Sequence, residues 1–144
     1  MTEPQMRELV MGTFKDAWLL AQPDVPLVLE NEALPTTLDT FALLTIQPTV
    51  SQQTTMGPPG TRRVVRKAWI ICKLWGPANT GSAGLAALGD AAQRILELKS
   101  FPSPVQGDDP VTTYAANAGP SGASTDGRWY MGLVRVAADW WEQI

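Results

Sequence analysis

The chain of 144 residues has no histidine. Without an imidazole, Ser-His-Asp and Cys-His nucleophile systems, His-based zinc sites and imidazole acid–base chemistry are excluded together. Any catalytic reading must then rest on carboxylates, hydroxyls or lysines. A single cysteine, Cys72, excludes an intramolecular disulfide, and its place between Ile71 and Lys73 in an apolar stretch marks a small core residue. Charge is scarce as well, at 17% of residues against about 25% in ordinary soluble chains. The net charge of −3 argues against a nucleic-acid reader that works through a broadly basic surface. Long apolar runs are missing: nothing approaches the ~18 residues of a membrane-spanning helix. Met1-Thr2-Glu3-Pro4 has neither the basic start nor the following apolar run of a signal peptide. The expectation is synthesis in a reducing cytosol, with no membrane partner.

What is abundant is tryptophan, glycine and proline: six, twelve and twelve residues. So many Gly and Pro predict long structured loops, and a single domain over 1–144 with one core is the expected organisation. The stretch that organises the rest is Thr61–Trp75, rich in β-branched and aromatic residues, free of Gly and Pro, and bounded by Gly60 and Gly76. It predicts one long strand. Alternation puts Ala68, Ile70, Cys72 and Leu74 on one face and Lys67, Trp69, Ile71, Lys73 and Trp75 on the other. The first face is an ordinary core. The second mixes large apolar groups with positive charge, as a surface that meets a partner does.

Around this strand the remaining elements follow. A helix is predicted over 3–21, with Met6, Val10, Phe14, Ala17, Trp18 and Ala21 at helical spacing and Pro4 in its first turn. Pro23 and Pro26 lead into a short strand, Leu27–Leu29. Leu34–Asp39 reads as a turn, and Phe41–Thr49 as a second long strand that Ser51–Thr55 can continue. Met56–Gly60 is the tip of a long antiparallel hairpin. A second helix over 82–99 carries Leu85, Leu88, Ala92, Ile95 and Leu96 on its buried stripe. Residues 102–127 form a Pro/Gly-rich passage in which Val111–Ala116 can pair as a strand, while Ala118–Gly127 is expected to be a mobile loop, as is 51–61. Arg128–Trp141 is the last strand. The expected fold is α+β: a mixed, largely antiparallel sheet of four to five strands with a long hairpin and two helices on one face. Bulk on both strand faces then leaves the second face to be covered by long loops or by another chain.

Chemical motifs are few. Gly76–Ser82 has the G-x-x-x-x-G spacing of a phosphate loop between strand and helix, but it lacks the lysine that reaches the phosphates. A strand-to-helix turn explains its glycines. Asp108, Asp109 and Asp126 offer oxygen ligands for a divalent cation, yet acids beside Pro110 are more simply a solvated turn. Arg62, Arg63, Arg66 and Lys67 gather four of the eleven basic residues, either as a charged edge that blocks strand pairing or as a contact to a partner. No catalytic constellation, cofactor site or metal site emerges.

Taken together, the helix Met6–Ala21, the segment Pro26–Asn31, the hairpin Phe41–Thr55 with Arg62–Trp75, the Gly76–Gly81 turn with its helix and the closing strand Gly127–Met131 resemble the tail terminator (tail completion) family of long-tailed, lambda-like bacteriophages. The resemblance implies a small non-enzymatic α+β virion subunit that forms a six-fold ring on the head-proximal end of the tail tube. There it stops tube polymerisation, offers a surface to the head-completion or connector protein, and lets genomic DNA pass without sequence-specific binding. A head-closure or adaptor ring shares the layout and is the alternative, with a small-ligand-binding domain behind it. The family supplies no short motif to transfer, so site residues come from exposure and pattern. Trp69, Ile71, Trp75, Trp129 and Met131 are expected between subunits, and Met56, Arg62, Arg63 and Arg66 at a partner or the lumen.

Overall fold

Thr2 opens the first helix: its carbonyl accepts from the Met6 amide at 3.0 Å, and the Gln5 side chain folds back to its own amide at 2.9 Å. The structure, a computed structural model, describes residues 1–34, 40–77, 83–123 and 128–144. Helix α1 runs Glu3–Ala21 and α2 Ala83–Leu96. The strands are β1 (Leu27–Val28), β2 (Phe41–Pro48), β3 (Gln52–Gln53), β4 (Arg63–Pro77), β5 (Ser100–Phe101), β6 (Val111–Ala123) and β7 (Trp129–Gln143). The turn expected at Leu34–Asp39 lies mostly outside the described residues, as does the Ala78–Ser82 part of the glycine-rich turn.

The strands form one mixed sheet in the order β1-β2-β4-β7-β6-β5, with β3 pairing β4 beyond the end of β2. Only β1 and β2 run parallel; every other pairing is antiparallel. The long hairpin is present, with Phe41 opposite Trp75 and Pro48 opposite Ala68. Among the described residues seven strands replace the four to five expected. Two of the additions, β3 and β5, are two-residue pairings that leave no periodic signal. Strand β6 differs more: it continues through Ala118–Ala123, where a loop was expected, and residues 124–127 are outside the described set. Gly119, Pro120 and Gly122 are tolerated because β6 is an outer strand paired mainly on one side, with irregularities at 113/116 and 120/122. Strand β4 also runs two residues past Trp75, so Gly76 and Pro77 belong to the sheet, opposite Tyr130 and Trp129.

The core sits on one face. Met6, Val10, Phe14 and Trp18 of α1 and Leu85, Leu88, Ala92 and Leu96 of α2 join Leu44, Ile70, Cys72, Leu74, Val134 and Val136 in one buried cluster. Ala17, Ala21 and Ile95, expected on these stripes, are not fully buried. Each large side chain removed from water contributes about 1.5–3 kcal/mol, so this layer holds the helices to the sheet. Trp18 also donates its indole N–H to the Val25 carbonyl at 3.0 Å. Thr113, the one buried polar side chain among the described residues, accepts from the Lys99 amide at 2.8 Å and donates to the Leu96 carbonyl. It fastens the end of α2 to β6.

Candidate functional site

Because side chains alternate, every strand that sends Ile70 or Val134 into the core sends its neighbours to the opposite face. Pairing register builds that face in rows. Leu43, Lys73 and Leu133 share one; Thr45, Ile71, Arg135 and Asn117 the next; Gln47, Trp69 and Ala137 the third. Trp69, Ile71, Trp75, Trp129 and Met131 all lie here, half-buried by one another. Both helices pack on the other side, so no described helix covers this face. Half of the passage 102–127, one of the segments available to cover it, is the strand β6 instead.

Two aromatic arrangements organise the surface. At one end Phe41 stacks on Trp75 with ring centroids 6.0 Å apart, and Trp129 meets both edge-on at 5.5 and 6.3 Å. Phe41 is almost fully buried by this cluster, so part of what the sequence assigns to an open face is a second small core. Further along, the Arg135 guanidinium lies 4.4 Å from the Trp69 ring centroid. Trp75 Nε1 and Arg135 Nε are buried on this face without a hydrogen-bond acceptor. Trp140 Nε1, on the core side, likewise has no protein acceptor.

The three arginines of the basic cluster are tied into the fold, while Lys67 is exposed. Arg63 pairs with Asp109 and lies 4.5 Å from the Trp141 ring centroid. Arg66 pairs with Glu142 at 2.6 Å, and Arg62 donates to the Gly57 carbonyl at 2.6 Å. These contacts brace the hairpin tip, helped by Ile144, whose backbone bonds to Gly60 and Arg62. Met56 projects from that tip, 94% exposed. Asp108 lies 3.3 Å from the Met1 amino group, Asp109 is on Arg63, and Asp126 is outside the described residues. Among the described residues no cluster of acids, cysteine or histidine is able to hold a metal. Burial pushes the Cys72 thiol up to about 12, the state of an inert core residue. No described helix is long and apolar enough to cross a membrane.

Sequence reasoning missed the edges of the sheet. Glu30 accepts from the Ile46 amide at 2.6 Å, while Arg7, paired with Glu30, donates to the Ile46 carbonyl at 3.0 Å. Two side chains thus occupy the outer hydrogen-bonding positions of β2. The opposite edge is bare over much of β6. Neither feature has a local motif, since both depend on which strand lies outermost.

Compared with known proteins, the chain matches no family model and no curated protein. A solved structure that bears no functional name superposes with a TM-score of 0.71 at 13% identity, covering 97% of this chain and 96% of that one. The likeness extends over the whole α+β fold and speaks to the fold alone.

Proposed function

We propose that the chain is a structural subunit of a long-tailed phage virion that caps the head-proximal end of the tail tube as a ring. In this reading it ends tube polymerisation and presents the docking surface for the head. The observation that carries it is the half-buried, aromatic-rich sheet face that no described helix covers, from the Phe41–Trp75–Trp129 cluster to Trp69, on a chain whose sequence resembles tail terminators. A closed ring buries unlike surfaces of neighbouring copies against each other, which covers such a face without another domain. Trp69, Ile71, Trp75, Trp129 and Met131 then lie between subunits, and acceptors from a neighbour relieve the unpaired donors beside them. Met56 and the braced tip with Arg62, Arg63 and Arg66 reach the adjoining ring or the lumen, where DNA passes without being read. The protein is made in the host cytoplasm and resides in the virion at the head–tail junction.

Native mass spectrometry and negative-stain imaging of the protein, alone and with polymerising tube subunits, test this reading. The expected result is a ring, six-fold on the family resemblance, seated on one tube end and halting growth. A protein that ignores tubes but is captured by the connector is an adaptor ring instead. One that stays monomeric with both partners overturns the ring reading.

A further inference from the structure

Both edges of the sheet are partly sealed and partly bare, and the bare parts lie on opposite edges. On the β2 side, β1 covers Ala42 and Leu43, and Glu30 with Arg7 covers Ile46. Beyond that the arm 47–56 bonds β4 on its inner side through Gln52 and Gln53, and every residue of it is exposed. On the β6 side, β5 and Lys99 pair residues 111–113, and Leu98 reaches Tyr114. From there Ala115 and Asn117–Pro120 are exposed. Long bare edges are usually blunted by charge, proline or bulges; β6 has Pro120 and its two irregularities, and the arm has Pro48. Here the stretches 48–61 and 111–123 contain no charged residue.

We infer that the arm 47–56 of one copy adds as a strand to the outer edge of β6 in a second copy, an inference that rests on the ring reading above. Opposite edges of one sheet joined head to tail make a heterologous contact, the kind that generates rings. The bare stretch 115–120 of β6 spans about 20 Å, which part of the ten-residue arm is long enough to line. Between β6 and α2, beside this edge, runs a largely apolar groove of about 290 Å³ lined by Leu85, Ala86, Gly89, Ala118 and Pro120. Val50 and Met56, 80% and 94% exposed, are the arm's apolar side chains to seat there. The arm stands beside Val64 and Val65, whereas bare β6 lies opposite 131–136, whose β4 partners are 70–75. Successive copies therefore step along the strand direction, so the strands run obliquely round the ring, as in a closed barrel.

The test uses two variants with complementary lesions: V50K/M56K blocks the arm, and A115K/A118K blocks the edge and fills the groove. Circular dichroism and thermal midpoints near wild type establish folding. In sedimentation, wild type forms rings and each variant alone sediments at one chain mass. Their 1:1 mixture doubles to two chain masses, because one intact arm and one intact edge remain and a ring cannot close. Rings from both variants overturn the contact and leave the ring reading standing, as does a mixture that stays at one chain mass. Variants that form normal rings but no longer cap tubes assign the edge to the tube and also overturn it. Wild type that stays monomeric alone, with tube subunits and with the connector removes the ring reading, and this contact with it.

Discussion

The Arg135 guanidinium lies 4.4 Å from the Trp69 ring centroid, on the sheet face opposite the helices. The two residues stand one row apart on neighbouring strands, Trp69 opposite Ala137 and Arg135 opposite Ile71. A cation over an indole contributes about 0.5–1 kcal/mol at a partly exposed site. Arg135 Nε has no protein acceptor, so the ring contact is the interaction that this side chain makes on the face. Arg135→Met keeps an unbranched stem on the ring and removes both cation and orphan donor. Its urea-derived stability is expected within about 1 kcal/mol of wild type, while ring formation weakens. A loss well beyond that range means that the pair serves folding.

Trp69 and Trp18 separate the two faces experimentally. Trp18 is fully buried among the helices and core strands, so Trp18→Ala is expected to cost about 3–5 kcal/mol. Trp69→Ala removes a half-buried ring and its cation contact, a loss of about 1–2 kcal/mol. Assembly responds in the opposite order: sedimentation of folded Trp69→Ala shows fewer rings. Trp129→Ala affects both readouts, because Trp129 also closes the cluster with Phe41 and Trp75. Unimpaired rings from Trp69→Ala and Trp129→Ala remove that face from the interface.

The same contrast sorts what could be read from the sequence. Periodicity placed both helices and the β2–β4 hairpin close to their observed bounds, because each buries a regular stripe. Ala68, Ile70, Cys72 and Leu74 face the core as alternation required. Strand β6 was read short because Gly119, Pro120 and Gly122 signal a loop unless the strand is known to be outermost. The intramolecular partners of Arg63 and Arg66 were equally hidden: Asp109 and Glu142 are 46 and 76 residues away in sequence. Whether a cation is free or committed is a tertiary fact.

Glu30 tests how the β2 edge is sealed. Its carboxylate accepts from the Ile46 amide and pairs with Arg7, which in turn holds the Ile46 carbonyl. Glu30→Ala leaves Arg7 paired with Glu3 and removes the acceptor of the Ile46 amide, which reopens the edge. Hydrogen bonds to charged groups contribute about 1.5–3 kcal/mol, so denaturant unfolding is expected to show a loss of about 2 kcal/mol. Hydrogen exchange at Ile46 should accelerate. Unchanged exchange means that the Glu30 carboxylate does not protect the Ile46 amide.

Tyr114 reports on the outer strand. Its hydroxyl donates to Asp139 at 2.6 Å, and this hydrogen bond to the carboxylate, with lesser contributions from burial and the carboxylate charge, raises its ionisation above the ordinary 10.0. With only two tyrosines in the chain, an absorbance titration resolves it. Asp139→Asn is expected to bring the Tyr114 transition, identified by its loss in Tyr114→Phe, down. No movement places Tyr114 away from Asp139 in solution.

Cys72 gives the clearest pH dependence of stability. Burial raises its thiol from 9.0 to about 12 in the folded chain, whereas in the unfolded chain it ionises near its ordinary value. Below pH 9 both states hold the proton and the contribution is fully present. Between about 9 and 12 the unfolded chain releases the proton first, so stability falls as pH rises, with a limiting slope of about 1.4 kcal/mol per unit. Other groups titrate in this range, but they are shared with Cys72→Ala, which lacks only the thiol. Cys72→Ala starts less stable near neutrality because it leaves a small void. Its deficit is expected to shrink when urea unfolding is repeated at about pH 10.5, since only wild type then carries the ionisation cost. A constant deficit at both values means that the native thiol ionises as readily as the unfolded one. Cys72 would then be reachable by water and by alkylating reagents, in conflict with its place at the centre of β4.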